Sequence, residues 1–186
     1  PVTLDPNTAY PNLTLSEDLT SARNCSDRQQ LPDNPERFDT YACVLGSEGF
    51  TSGKHCWDVE VGSNTYWDLG VSEESSQRKG SITWNQEAGY WIIGLLNGNQ
   101  YWAGTSPETQ LTLEKKPEKI RVQLDCDRGE VAFFDTSDMR PIYTFKHTFT
   151  EKMFPYFWAG CIGSVPIRVC PVKAAIKVDS ANSRDK

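Results

Sequence analysis

Hydrophobic and polar residues alternate with a period of two along much of this chain. The alternation is clearest in residues 57–61 and 67–71, which begin with Trp57 and Trp67 and flank a polar turn at residues 62–64. A period of two is typical of β-strands that bury one face. The two segments are therefore predicted to form a hairpin whose apolar face carries both tryptophans. Such a hairpin is marginally stable alone, so other strands must cover that face.

The rest of the chain offers further short strand-like segments. They span residues 2–4, 13–19, 41–46, 81–84, 89–96, 100–103, 120–124, 131–134, 142–145, 153–158 and 167–170. Residues 89–96 are so apolar that both faces of this strand should be covered, and Asn97-Gly98 and residues 127–129 predict hairpin turns. Residues 23–37 are polar and broken by prolines, which predicts a surface connection. With almost no helical periodicity, the pattern predicts an all-β fold, an antiparallel β-sandwich of two sheets.

Composition narrows the classes of partner. The 186 residues suit one domain, alone or with a small subdomain. The formal net charge of −6 argues against a nucleic-acid or anionic-membrane surface, because both need concentrated positive charge. The longest apolar run, residues 90–96, is too short to cross a membrane. The chain begins at Pro1 without an initiator Met or a signal sequence, which indicates a piece of a longer protein.

Six cysteines are dispersed at positions 25, 43, 56, 126, 161 and 170, without a C-x-x-C pair. A domain of this size needs no disulfides, and most of these cysteines lie inside apolar strand-like segments. They are therefore predicted to be reduced, core-packed thiols of a cytoplasmic protein. Two N-x-S/T sequons, at Asn12 and Asn24, favour secretion only weakly, because such triplets arise often by chance.

The chain carries no recognisable catalytic apparatus. Its two histidines are His55, inside a strand segment, and His147, and the sequence holds no Gly-x-Ser-x-Gly nucleophile elbow. Residues 125–129 have an acidic spacing similar to a calcium loop, but the glycine comes one position early and no Glu follows at the twelfth. We therefore expect no enzyme activity in this domain, no cofactor and no metal site.

Several short motifs follow one another in a set order. They are Leu4-Asp5-Pro6, Leu13-x-Leu15-Ser16, Val44-Leu45-Gly46, Phe50-x-Ser52-Gly53-x-His55-x-Trp57-x-Val59-Glu60-Val61-Gly62, Trp67-x-Leu69-Gly70-Val71, Gly89-Tyr90-Trp91, Leu124-Asp125-x-Asp127-x-Gly129-x-Val131-x-Phe133 and Phe154-Pro155-Tyr156-Phe157. This series resembles the PRY-SPRY, or B30.2, domain over residues 2 to about 172. Cys56 and Cys126 stand where the family pattern usually has tyrosine, but both departures keep the strand parity.

The resemblance implies two bent, packed antiparallel sheets with a concanavalin-like jelly-roll topology. It divides the chain into a PRY segment at 1–45, a SPRY segment at 46–172 and a frayed tail at 173–186. It also implies a non-catalytic protein-recognition module, the target-binding C-terminal domain of a tripartite-motif ubiquitin ligase in innate immunity. The alternative is the intracellular domain of a butyrophilin, which senses a small ligand. The isolated domain should be a monomer, and its parent a dimer through a coiled coil.

The resemblance also places the recognition site. The antibody-binding pocket of one tripartite-motif protein matches Glu74, Trp84, Gly94, Leu96, Cys161 and Gly163, where most of the large side chains are missing, so antibody binding is not expected. The phosphoantigen pocket of one butyrophilin matches Tyr41, Asp68, Trp102 and Glu108, which are neutral or acidic and would repel a pyrophosphate.

A pocket of different chemistry at the same place is therefore predicted. Its partner-binding residues are Tyr41, Asp68, Glu74, Trp84, Leu96, Trp102, Trp158 and Cys161. Aromatic anchors with a polar rim are common in interaction hot spots. Because the rim is acidic, the expected partner is a protein or peptide that presents a Lys or Arg beside an apolar residue. Trp102 and Trp158 are equally compatible with a role in the core.

Overall fold

The computed structural model describes residues 1–171 as two antiparallel sheets. The strands are β1 Leu13–Leu15, β2 Ser21–Asn24, β3 Cys43–Leu45, β4 Lys54–Glu60, β5 Trp67–Glu73, β6 Tyr90–Leu96, β7 Gln100–Ala103, β8 Thr109–Leu111, β9 Lys119–Asp125, β10 Glu130–Asp135, β11 Arg140–Lys146, β12 Met153–Trp158 and β13 Ile167–Cys170. Within residues 1–171 the helical content is a single 3-10 turn, Gln86–Ala88. The predicted all-β sandwich is confirmed, and the predicted tail at 173–186 lies outside the described residues.

Strand order places distant parts of the chain side by side. The seven-stranded sheet runs β1-β2-β13-β4-β9-β10-β11, and the six-stranded sheet runs β3-β12-β5-β6-β7-β8. The first 45 residues therefore contribute to both sheets, with β1 and β2 in one and β3 in the other. The inner faces of the sheets enclose the main core, which includes Trp57, Trp67 and Trp91, each at most 2% exposed.

The predicted hairpin of residues 57–61 and 67–71 is wrong. Strand β4 pairs with β13 and β9 in one sheet, whereas β5 pairs with β12 and β6 in the other. The connection crosses between the sheets, and Asn64 holds it by donating to the backbone carbonyls of Val61 and Val165 at 2.9 and 3.0 Å. Alternation identified the apolar residues that face the core, although both faces of β5 are buried. It carries no information about which strand is the neighbour.

The other two predicted hairpin turns are confirmed. Asn97 and Gly98 both have positive φ, 53° and 74°, as a two-residue turn between β6 and β7 requires. Gly129 has φ 71° between β9 and β10, and its amide donates to the carbonyl of Asp125 at 2.9 Å. The acidic spacing at residues 125–129 thus belongs to a hairpin.

Other segment boundaries need correction. Residues 2–4 form only an isolated bridge from Leu4 to Gly46. Residues 81–84 form no strand, and Ile82 and Trp84 pack on the outer cluster of the six-stranded sheet. The strand predicted at 13–19 ends at Leu15, where the Ser16 hydroxyl accepts from two amides of a turn. Strand β2 then begins before the predicted surface connection. The sequence did not predict β2 because its residues are mostly polar. A strand with one solvated face needs few apolar residues.

The cysteines are all free thiols, but only Cys43 and Cys170 are buried. Cys56 and Cys161 are exposed, so the prediction of core packing is wrong for these two. Cys56 lies on the outward parity of β4, next to the buried Trp57. Cys161 follows the end of β12, in a turn that begins at Gly160 with φ 74°.

The buried guanidinium of Arg37 fastens the N-terminal segment. Its Nε donates to the carbonyl of Pro32 at 2.8 Å, and its Nη1 donates to the carbonyls of Pro6 and Ala9 at 2.9 and 2.7 Å. Arg37 is 3% exposed, so these carbonyls have little access to water. One side chain thus replaces the regular backbone pairing that this segment lacks.

We predict that Arg37→Ala lowers the free energy of unfolding by about 3 kcal/mol, because it leaves buried carbonyl groups without donors. Urea denaturation of both proteins at neutral pH measures the difference. Arg23→Ala, which removes an exposed arginine on β2, is the matched control and should change stability by less than about 0.5 kcal/mol. Equal effects of the two substitutions would contradict the anchoring role of Arg37.

Candidate functional site

The six-stranded sheet is covered on both of its faces. Its inner face lies on the other sheet, and its outer face carries a second apolar cluster that includes Cys43, Tyr90, Ile92 and Tyr156. Phe38 and Ile82 from the adjacent connections close over this cluster. The expectation that residues 89–96 are covered on both faces is confirmed, with Tyr90 to Leu95 all buried.

A row of side chains crosses the outer face where this cover ends. In register across four strands lie Trp158 on β12, Asp68 on β5, Gly94 on β6 and Trp102 on β7. Directly opposed residues of antiparallel strands point to the same side, so these four groups are neighbours. A Cβ on residue 94 would collide with the Asp68 carboxylate and would lie 2.7 Å from Trp102 Nε1. Gly94 therefore lets the acid and the indole approach each other.

A pocket of about 510 Å³ opens above this row. Tyr41 and Trp84 form one corner, with ring centroids 5.2 Å apart and planes at 81°. Trp84 also packs on Tyr156, 5.5 Å between centroids, which supports it from below. The volume is in the range of pockets that hold a small molecule or a few side chains.

Asp68 is a buried acid without a partner. It is 6% exposed, and no hydrogen bond reaches its Oδ1 from the described residues, nor does Trp102 Nε1 find an acceptor among them. Burial raises the pKa of the Asp68 carboxyl well above its usual range, and the nearby negative charge of Glu108 raises it further. A buried polar group with no partner is unusual in a folded protein and is destabilising.

Six of the eight predicted site residues line this single pocket. They are Tyr41, Asp68, Trp84, Leu96, Trp102 and Trp158. Trp102 is only 8% exposed and also belongs to the outer cluster, so it takes part in both core and pocket. Their role in binding a partner remains a prediction.

The other two predicted residues lie elsewhere. Glu74 follows the far end of β5, about 20 Å along the strand from Asp68 at ~3.3 Å per residue, and lines a separate depression with Arg78 and Phe154. Cys161 is exposed on the turn after β12 and does not line the pocket. Both belong to loops whose direction is set by packing and not by the local sequence.

Prediction missed part of the pocket wall. The additional lining residues are Thr83, Asn85, Thr105, Ser106, Pro107, Glu108 and Tyr156. Residues 105–108 are a loop without apolar periodicity, and Tyr156 lies in a strand that reads as core. Among these residues, Glu108 could have been predicted as part of the pocket, because it matches a position of the butyrophilin pocket.

The histidines contribute to packing. His55 stacks on Phe50 with centroids 3.8 Å apart, and its Nε2 lies 2.8 Å from the Ser52 carbonyl oxygen. His147 lies against Trp91, 5.2 Å between centroids.

Within residues 1–171 no three His, Cys, Asp or Glu side chains come together as metal ligands. No helix of this part of the chain is long and apolar enough to cross a membrane.

Two family models match this chain. PRY, the SPRY-associated domain, matches residues 2–50, and the SPRY domain matches residues 54–168. The chain belongs to the SPRY family. SPRY domains are recognition modules that bind protein targets, so a pocket with a strand floor and a partly looped rim fits the family.

Curated relatives come from two kinds of protein. Nuclear factor 7, ovary, of Xenopus laevis is 52% identical over 84% of this chain and 26% of its own length. Zinc finger protein RFP of Homo sapiens is 44% identical over 92% of this chain and 34% of its own. Butyrophilin subfamily 1 member A1 of Bos taurus is 45% identical over 92% of this chain and 32% of its own. The chain thus spans about a quarter to a third of these relatives.

Solved structures share the same fold. The stonustoxin structure superposes with a TM-score of 0.78 at 29% identity, over 91% of this chain and 28% of that chain. The TRIM65 PSpry domain superposes with a TM-score of 0.77 over 92% of this chain and 90% of that chain. At 24% identity, the second likeness shows the fold alone.

We predict that Asp68→Asn stabilises the domain at neutral pH. A carboxyl whose pKa is raised on folding weakens the folded state at every pH above its unfolded pKa of about 3.9. The substitution should therefore add about 1 kcal/mol to the free energy of unfolding at pH 7, and the gain should vanish as the pH falls towards about 4. Chemical denaturation across this pH range measures it.

Asp58 is the matched control, because it is also 6% exposed on a strand but receives a hydrogen bond from Arg121 Nε at 2.8 Å. Asp58→Asn weakens this ion pair and should lower stability at neutral pH. A loss of stability in both variants would show that Asp68 is not the unpartnered acid described here.

Proposed function

We propose that this domain is a non-catalytic recognition module whose pocket over the Asp68 row binds a protein or peptide target. The observation that carries the proposal is the coincidence of half-buried aromatic rings with an unpartnered buried acid in one cavity. Aromatic anchors in a desolvated pocket are typical of interaction hot spots. A buried acid that lowers stability is a usual feature of a functional site.

The pocket's charge favours a basic group in the target. Among the described residues, its lining holds two acids, Asp68 and Glu108, and no Lys, Arg or His. An opposite charge within a few ångströms would favour the ionised form of Asp68 and remove the energetic penalty of its burial. The half-buried rings of Tyr41, Trp84 and Trp158 and the side chain of Leu96 offer apolar contacts beside it. The preferred segment therefore presents Lys or Arg next to an apolar residue.

The parent protein we propose is a cytoplasmic tripartite-motif ubiquitin ligase of innate immunity, dimeric through a coiled coil, in which this domain selects the target. Similarity to zinc finger protein RFP supports this parent. The alternative parent is a butyrophilin, supported by the bovine relative of similar identity. A phosphorylated small ligand is disfavoured for this pocket, because both of its charged side chains are acidic.

We predict that Trp84→Ala weakens target binding about 30-fold, since loss of a central aromatic anchor removes about 2 kcal/mol. The target is first captured from cell extract with the isolated domain, and affinity is then measured by calorimetry with the purified protein. Because Trp84 also packs on Tyr90 and Tyr156, Trp158→Ala provides a second test at another half-buried ring of the pocket. Thermal melting confirms that each variant is folded.

Glu74→Lys is the control for this experiment, because Glu74 is exposed outside the pocket. Its affinity should equal that of the unchanged domain. Unchanged affinity in both tryptophan variants would remove the pocket as the binding site. Calorimetry with inorganic pyrophosphate tests the alternative of a phosphorylated small ligand. Measurable binding would contradict the expectation that the acidic pocket repels such a ligand.

A further inference from the structure

The cross-strand row places the acid of the pocket between two tryptophans. Asp68 is directly paired with Trp158 on one side, and beyond Gly94 it meets Trp102 on the other. Tyr41 and Trp84 stand as a perpendicular corner of the same cavity. A cation that reaches Asp68 must therefore lie among aromatic rings, whose faces attract positive charge.

The wall of the pocket combines acidic side chains with aromatic rings. The negative charge comes from Asp68 and Glu108, whereas the rings of Tyr41 and Trp84 make up an aromatic corner of the wall. An unmodified ammonium is a compact, strongly hydrated charge with three donors, and a guanidinium has five donors in one plane. When either cation sits against the aromatic corner, it turns some donors toward aromatic carbon, where their hydration is lost and not replaced.

We propose that the pocket recognises a lysine side chain whose Nζ carries one or two methyl groups. The inference rests on the proposed function, and it names the cationic group of the target. Such a group keeps at least one N–H, which donates to the Asp68 carboxylate, while its methyl groups contact the rings of Tyr41, Trp84 and Trp158. Trimethyllysine has no N–H and leaves Asp68 without a donor.

The unpartnered state of Asp68 supports this assignment. Its Oδ1 receives no hydrogen bond from the described residues although the side chain is more than nine-tenths buried. Oδ1 itself is closed off, so an arriving N–H donates to the carboxylate at the edge that lines the pocket, and the positive charge favours the ionised form. Quaternary and methylated ammonium groups are the cations that aromatic pockets bind best, because their charge is spread over apolar surface.

The test uses the isolated domain and simple probes. The probes are Nα-acetyl-lysine amides with zero, one, two or three Nζ methyl groups, the corresponding arginine amide and the Nζ-acetyl-lysine amide. Indole N–H signals in nitrogen-15 NMR spectra report binding, and single Trp→Phe substitutions assign Trp84, Trp102 and Trp158. We expect mono- and dimethyllysine to shift these three signals and to bind about tenfold more tightly than unmodified lysine or arginine.

Asp68→Asn separates the contribution of charge from that of apolar contact. It should weaken dimethyllysine about tenfold and abolish the preference over trimethyllysine, while Glu74→Gln, outside the pocket, should change nothing. Because removal of the unpartnered acid is expected to stabilise the domain, failure to fold does not confound this variant. A neutral probe with a tert-butyl group in place of the trimethylammonium should bind more weakly than every methylated lysine.

Three results overturn the inference: equal affinity for all lysine probes, a preference for arginine, or no shift of the three indole signals at the highest soluble probe concentration. The proposed function is judged separately with the captured target. If Trp84→Ala and Trp158→Ala weaken that target while the probes show no methyl preference, the pocket binds proteins but not through methylated lysine. If neither substitution affects the captured target, the pocket itself is not the binding site.

Discussion

The six-stranded sheet must be covered on both faces, and much of the structure follows from this requirement. Its strand β6 is apolar on both parities, with Tyr90 to Leu95 all buried, so one sandwich partner is not enough. The seven-stranded sheet covers the inner face. Connections that carry Phe38 and Ile82 cover part of the outer face.

The pocket lies where that outer layer stops. Beyond the corner of Tyr41 and Trp84, the sheet surface carries the row from Trp158 to Trp102. Strands hold the floor of the site, whereas loops such as residues 105–108 form part of the rim. A rigid floor keeps Asp68 in place without a partner. Backbone pairing in the sheet fixes the position of this residue whether or not its carboxylate receives a hydrogen bond. Loops can change without disturbing that floor.

Asp68 and Asp58 show how the same residue type serves two purposes. Both are 6% exposed on central strands, yet Asp58 is paired with Arg121 on the neighbouring strand and Asp68 with tryptophan and glycine. The first acid contributes to the sandwich, and the second weakens it. Local sequence does not distinguish them, since each follows a tryptophan in an alternating strand. The identity of the cross-strand neighbour decides the role.

The amino-acid sequence by itself determined the all-β class, the buried parity of most strands, the core positions of Trp57, Trp67 and Trp91, and the turns at Asn97-Gly98 and residues 127–129. These depend on alternation and on φ angles, which are local properties. Resemblance to a family supplied five of the six predicted pocket residues, all except Trp158, because the sandwich carries those positions at fixed points. Only the tertiary structure decided that β4 and β5 belong to different sheets, that Glu74 and Cys161 lie outside the pocket, and that Asp68 has no partner. Strand pairing and loop direction depend on contacts between residues far apart in sequence, and alternation contains no record of which strand lies beside which.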